Sequence, residues 1–187
     1  MSRYLKLIAA GLIVAVVLYG AYTVRQSPQP FPSQPPPISS DDKGFKPPLE
    51  TAPEINLKDL DGQTVKLSDY QNRIIILVFW SSWSYASKAI LPELNETATE
   101  LKQTNEAVLL TVDVPRGRGT ATAAEKYIRD HQYNFKVLVD SKGKAANAYS
   151  IMNLPTTFII QKDGKIYDHR VGTLSSAEIM DYVHKLK

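Results

Sequence analysis

Cysteine is missing from the sequence altogether: 187 residues carry no thiol. That excludes disulfide staples, thiolate metal sites, a lipid-bearing N-terminal cysteine and any dithiol couple. It also removes the usual indicator of redox compartment, so location has to be read from the N-terminus. Histidine is scarce, at three residues, and glycine modest, at nine. No glycine-rich phosphate loop is present. Arg116-Gly117-Arg118-Gly119 offers two glycines and two arginines, too little for nucleotide recognition. A surplus of one charge is lacking as well: residues 54–187 hold 17 Lys/Arg against 16 Asp/Glu. So neutral a globular part has no basic stripe to track phosphates, which argues against nucleic acid as a partner. Neither a metal site nor a cofactor is expected.

Hydrophobic length and proline, by contrast, are concentrated at one end. Leu7 to Val24 is 18 residues without a charge, long enough for one transmembrane helix. The run continues through Tyr19, Tyr22 and Val24 with no small-x-small exit, so residues 1–25 read as an uncleaved anchor rather than a signal peptide. Arg3 and Lys6 precede it and only Arg25 closely follows. The positive-inside bias therefore keeps the N-terminus cytoplasmic and places the rest outside, in a single-pass, extracytoplasmic arrangement. Residues 26–53 hold 9 of the 12 prolines. Such a segment favours extended polyproline II and reads as a spacer reaching up to ~85 Å.

Residues 54–187 alternate regular signals. "EINLKDLDGQTVKL" reads as a hairpin turning at Asp61-Gly62, and "RIIILVFW", 73–80, as a strand buried on both faces. Ile90, Leu91, Leu94, Ala98 and Leu101 follow at helical spacing, with Pro92 predicting a kink; Glu93 and Glu96 fall on its solvated side. A strand at 107–114, a helix near 120–131, a strand at 135–140 and a short helix near 143–149 come next. A hairpin over 156–172 turns at Asp163-Gly164, and a helix over 175–186 is capped by Ser175 or Ser176. The order predicts an α/β domain: a mixed central β-sheet flanked by helices, with an N-terminal β-hairpin and an antiparallel edge.

Between Phe79 and Lys88 the chain reads "FWSSWSYASK". Two like side chains three apart at a helix start is the layout of a redox dithiol, yet both are serine. With the later "LPTTF" at 154–158, this pattern resembles the thioredoxin superfamily, most nearly its TlpA/ResA-like membrane-anchored thiol–disulfide oxidoreductases. The likeness runs over residues 52–187, through "INLKDLDGQTVKLSDY", "FWSSWSYASKAILPEL", "LPTTFIIQKDGKI" and "VGTLS". The resemblance implies a thioredoxin-like fold, with Ser84 and Ser87 at the positions of the two redox cysteines. It also implies a cis Pro155 that leaves the Leu154 backbone free for an extended client. Client contacts are expected from Trp83, Tyr85, Ala86, Leu154, Pro155 and Thr156. Val78 takes the place where some thioredoxins bury a proton-relaying acid.

Serine ionises far less readily than cysteine and forms no two-electron sulfur couple, so the family's reaction is expected to be absent. Ser84 reads most simply as a helix N-cap and Ser87 as a half-buried hydroxyl bonded to local backbone. Trp80 reads as core, and Trp83 either lines a client groove or packs. His131, His169 and His184 fall away from the turn, which disfavours a serine hydrolase. Two readings stand. One is a redox-inactive domain binding polypeptide clients or an envelope partner. The other is an oxidoreductase of cytochrome maturation or envelope redox chemistry, represented by a Cys-to-Ser form. The N-terminal reading has a direct outcome: protease added to intact protoplasts digests the domain and spares an N-terminal tag, and protection of the domain reverses the topology.

Overall fold

The computed structural model describes residues 50–115 and 121–187. The expected anchor, most of the proline-rich linker and the Arg116–Gly119 loop lie outside the described residues. Among the described residues no helix is long and apolar enough to cross a membrane.

The sheet is organised by β3, Ile74–Trp80, in which all seven residues are buried. Its alternating side chains supply two cores. Ile74, Ile76, Val78 and Trp80 face one layer, and Ile75, Leu77 and Phe79 face the other. A continuous β-branched run suits this position because both faces are covered and neither asks for a polar residue. Parallel to β3 lies β4, Ala107–Asp113, and parallel to that β5, Lys136–Val139. On the other side β6, Thr156–Ile160, and β7, Ile166–Val171, run antiparallel, with a bulge at Ile159/Ile160. The N-terminal hairpin, β1 (Asn56–Asp59) and β2 (Thr64–Lys66), joins through antiparallel β1–β5 pairing. The seven-stranded order is β2-β1-β5-β4-β3-β6-β7. The hairpin turns where predicted, with Gly62 at φ +80° and the Asp59 carboxylate accepting the N–H groups of Asp61 and Gln63 at 3.1 and 2.9 Å. Lys136 of β5 binds the same carboxylate at 3.0 Å, so the hairpin is held from two sides.

The helix expected to kink at Pro92 is instead two helices, α1 (Tyr85–Ala89) and α2 (Leu91–Thr104), meeting at Ile90. Proline has no N–H to offer Lys88, and its ring displaces the carbonyl four residues back. The ladder therefore stops and restarts, with the Leu94 N–H on Ile90 O at 3.0 Å. In the first turn of α2 the proline costs nothing, because that turn has no intrahelical acceptor. Leu91, Leu94, Ala98 and Leu101 of α2 share a core with Ala124 and Ile128 of α3, Ala121–Asp130. Ile179, Met180 and Val183 of α5, Ser176–Lys185, complete that layer. The short α4, Lys144–Ala148, covers the opposite face, its start fixed by the buried Asp140 carboxylate on the N–H groups of Lys144 and Ala146.

Two carboxylates assigned to a solvated face part company. Glu96 is exposed, but Glu93 is half-buried and accepts the Ser176 N–H at 2.9 Å. It thus ties α2 to the start of α5, beside the Ser175–Glu178 capping box. The sequence placed both on the outer stripe of one helix, and only the neighbouring helix end distinguishes them. Glu93→Ala is expected to lower stability by about 1–2 kcal/mol in urea unfolding, the worth of a charge-assisted hydrogen bond. Glu96→Ala, at an exposed position, stays within about 0.5 kcal/mol.

Candidate functional site

Where β3 ends, the chain turns through Ser81–Ser84 into α1. Ser84 has extended backbone (φ −91°, ψ 121°), and its Oγ accepts the Ser87 N–H at 3.2 Å. It is the N-cap that its position predicts, one of the free N–H groups of the first turn being satisfied by the hydroxyl. Ser87 departs from its expectation. It is fully buried, not half-buried, and among the described residues its Oγ has no hydrogen-bond partner. The physical reason is its place at the third helical position, where the side chain faces the sheet.

The partner segment comes from β6. Phe79 pairs with Thr156 in the β3–β6 ladder, which sets Pro155 beside the end of β3. The Leu154–Pro155 bond is cis, and Pro155 O accepts the Gly172 N–H at 2.9 Å. Thr156 is buried with its hydroxyl on Asn153 O at 2.8 Å, while Leu154 is half-buried. One sheet end therefore carries Trp83, Ser84, Tyr85, Ala86 and Ser87 on the turn and helix, and Leu154, Pro155 and Thr156 on the neighbouring strand. Trp80 is core, with no exposure, and Val78 is equally buried. The Trp83 Nε1 donates to Val114 O at 3.3 Å while the residue stays 37% exposed.

Two features were missed in the sequence. The first is Asp113, the last residue of β4 and the ladder neighbour of Trp80, with no exposed surface. Its Oδ1 accepts the Ser82 N–H at 3.3 Å. Burial pushes the carboxyl up to about 6, with the Ser82 N–H and then the nearby Ser81 hydroxyl pulling the other way. The Ser81 hydroxyl completes no hydrogen bond of ordinary geometry, and Asp113 Oδ2 likewise has no partner among the described residues. Val78 thus does not leave the turn without an acid; the adjacent strand supplies one. The signal was legible, since an acid in "AVLLTVDV" shares a face with Ala107 and Leu109.

The second is the distribution of exposed apolar surface. Among the described residues, the exposed large hydrophobics are Trp83, Tyr85 (87%), Met152 (81%) and Val171 (61%). All four border the same sheet end: two on the turn, one in the loop before Pro155, and Val171 opposite Thr156 on β7. A groove of about 650 Å³ opens there, lined in part by Tyr149, Met152, Thr156, Phe158, His169 and Val171. Exposed apolar surface gathered in one place marks an interaction site more often than scattered residues do.

A serine hydrolase finds no support in this geometry. His131 lies against Tyr127 O, His169 stacks on Phe158, and His184 sits in the last turn of α5. Ser84 Oγ faces its own helix.

The AhpC/TSA family matches residues 48–169. The chain belongs to that family. Within it, the ResA-like thiol–disulfide oxidoreductases are its relatives. The thiol–disulfide oxidoreductase ResA of Geobacillus thermodenitrificans is 30% identical over 138 residues, 73% of this chain and 76% of the relative. ResA of Bacillus subtilis (strain 168) is 28% identical over 136 residues. Among solved structures, the exposed lipoprotein thioredoxin Etrx1 of Streptococcus pneumoniae is 31% identical, with a TM-score of 0.64 over 72% of this chain and all of that one. StoA from Bacillus subtilis, at 22% identity and a TM-score of 0.63, covers 70% of this chain and 96% of its own, and shows the shared fold. The thioredoxin-like fold is thus established, and this ResA-like chain has serine where a thiol pair would stand.

Exposure at the two serines is graded: Ser84 is half-buried and Ser87 closed off. Restoring thiols by Ser84→Cys and Ser87→Cys is therefore expected to give an accessible cysteine at a helix N-terminus and a buried partner one turn on. The single Ser84→Cys variant should react with a thiol reagent as a group of pKa below the free value of ~8.5, and the double variant should close an intramolecular disulfide. A single variant titrating near 8.5, with no disulfide in the double, would show that the two positions do not have dithiol geometry.

Proposed function

We propose that the domain is a redox-silent, polypeptide-binding member of the ResA-like oxidoreductases, held outside the membrane by its N-terminal apolar helix. The observation that carries the reading is the gathering of Trp83, Tyr85, Met152 and Val171 around a turn whose serine is committed to capping its own helix. A hydroxyl there supplies no electrons, whereas the apolar rim and groove beside Pro155 suit an extended chain that lays apolar side chains across them. The pneumococcal relative described as an exposed lipoprotein supports the outward placement.

A second reading keeps the same scaffold as an oxidoreductase, of cytochrome maturation or envelope redox chemistry. The graded exposure of Ser84 and Ser87 favours it, because that is how a nucleophile and a resolving group are arranged. Codons 84 and 87 of the natural gene separate the two.

The full-length protein in detergent is expected to reduce insulin no faster than dithiothreitol alone, while binding a permanently unfolded, thiol-alkylated polypeptide. Trp83→Ala and Tyr85→Ala should each weaken that binding about fivefold or more, as aromatic anchors do. Turnover above the thiol blank, or binding indifferent to both substitutions, would overturn the reading.

A further inference from the structure

We propose that Asp113 is a protonation-linked control on the turn that carries Trp83 and Ser84. Its functional consequence, a client grip that varies with pH, rests on the polypeptide-binding reading above.

Asp113 and Val114 together touch most of the turn. The Val114 N–H donates to Trp80 O at 2.9 Å, Asp113 Oδ1 receives the Ser82 N–H, and Val114 O receives the Trp83 indole. A carboxylate with no exposed surface normally gathers two or three short donors, each at 2.7–2.9 Å when the acceptor is charged. Here one N–H approaches at 3.3 Å, and the second oxygen is unmatched among the described residues. The ionised form is therefore poorly served, and a proton changes what the turn feels. It removes the charge that draws in the Ser82 N–H and creates an O–H donor beside the hydroxyls of Ser81 and Ser82, which have no partner among the described residues.

Among the described residues, what faces the carboxyl is uncharged. Trp80 lies beside it on β3, Val139 beside it on β5, and Ser81 and Ser82 in the turn. Asp140 gives its N–H to Asp113 O, and its carboxylate is occupied at the start of α4. On the helices covering this face, Lys88 sits over the Tyr127 ring, and Lys126 pairs with Asp130 as Arg129 does with Glu125.

The sign follows from burial. The folded carboxyl, titrating at about 6, holds its proton more tightly than the unfolded one at ~3.9. The stability associated with that proton is present in full below the unfolded value and falls as pH rises through the interval up to about 6, after which it is gone. Asp113→Asn should remove this slope.

The chain's two tryptophans, Trp80 and Trp83, both contact the Asp113–Val114 segment, so they report on it directly. The full-length protein in detergent should show a transition in tryptophan emission near pH 6, and the two indole N–H resonances of the wild-type protein should move with that same midpoint. Asp113→Asn should abolish the emission change and the decline in Tm across the interval, which also separates Asp113 from the three histidines. Binding of the alkylated, unfolded polypeptide should weaken severalfold below the transition in wild type and stay flat in the variant. No transition in wild type, or one that survives in Asp113→Asn, overturns the proposal. A transition abolished by the variant, with no polypeptide bound at any pH, upholds control of the turn and refutes the binding function instead.

Discussion

The antiparallel pairing of β3 with β6 is the constraint on which the rest depends. It sets Thr156 against Phe79 and so brings a turn at residues 81–84 beside a loop about 70 residues further along the chain. Register in a sheet with buried faces is strongly specified, since a shift of one residue would turn Phe158 and its neighbours to the wrong side. Phe158 packs edge-on against Phe79 and Tyr149, and the Tyr149 hydroxyl in turn donates to Pro53 O at 2.7 Å. The aromatic cluster thus locks the strand pair from one face while Trp80 and Val78 lock it from the other. The rim of the site is a by-product of that locking.

Serine fits this framework unequally at its two positions. At residue 84 a hydroxyl does well, because an N-cap needs an acceptor and an oxygen is a better one than sulfur. At residue 87 the same hydroxyl is a mismatch: buried, facing the sheet, and without a partner among the described residues. A thiol loses little in such a place, being a weak donor and acceptor. Leaving a hydroxyl unmatched costs about 1–3 kcal/mol. The buried site at residue 87 therefore suits sulfur better than oxygen, and the stability that the domain retains comes from the sheet and its two cores.

Much of this was legible beforehand because it rests on local chemistry. The apolar run at 74–80 is a strand buried on both faces, Asp61-Gly62 is a turn, and Ser84 caps a helix, as neighbouring residues dictate. What escaped depends on elements distant in sequence. Pro92 signals an interruption, and the interruption divides the helix at Ile90 rather than bending it. Glu93 differs from Glu96 only because the start of α5 lies beside it. Asp113 is readable as an acid on a core-facing strand position, but its place under the turn follows only from the parallel crossover that brings Trp80 alongside. The apolar rim was half visible, in Trp83 and Tyr85. Met152 joins it only through the β3–β6 pairing and Val171 through the β6–β7 pairing.

The outer edge of β7 has a consequence of a different kind. It is the last strand of the sheet, and an open edge invites a strand from another molecule. Here the chain closes part of its own edge: Glu50 O accepts the Ile166 N–H and the Ala52 N–H reaches Gly164 O, both at 2.9 Å. Further along, the Asp168 carboxylate folds back onto the His169 N–H at 2.8 Å. The edge is thereby short, partly occupied and charged, a poor template for zipping two copies together.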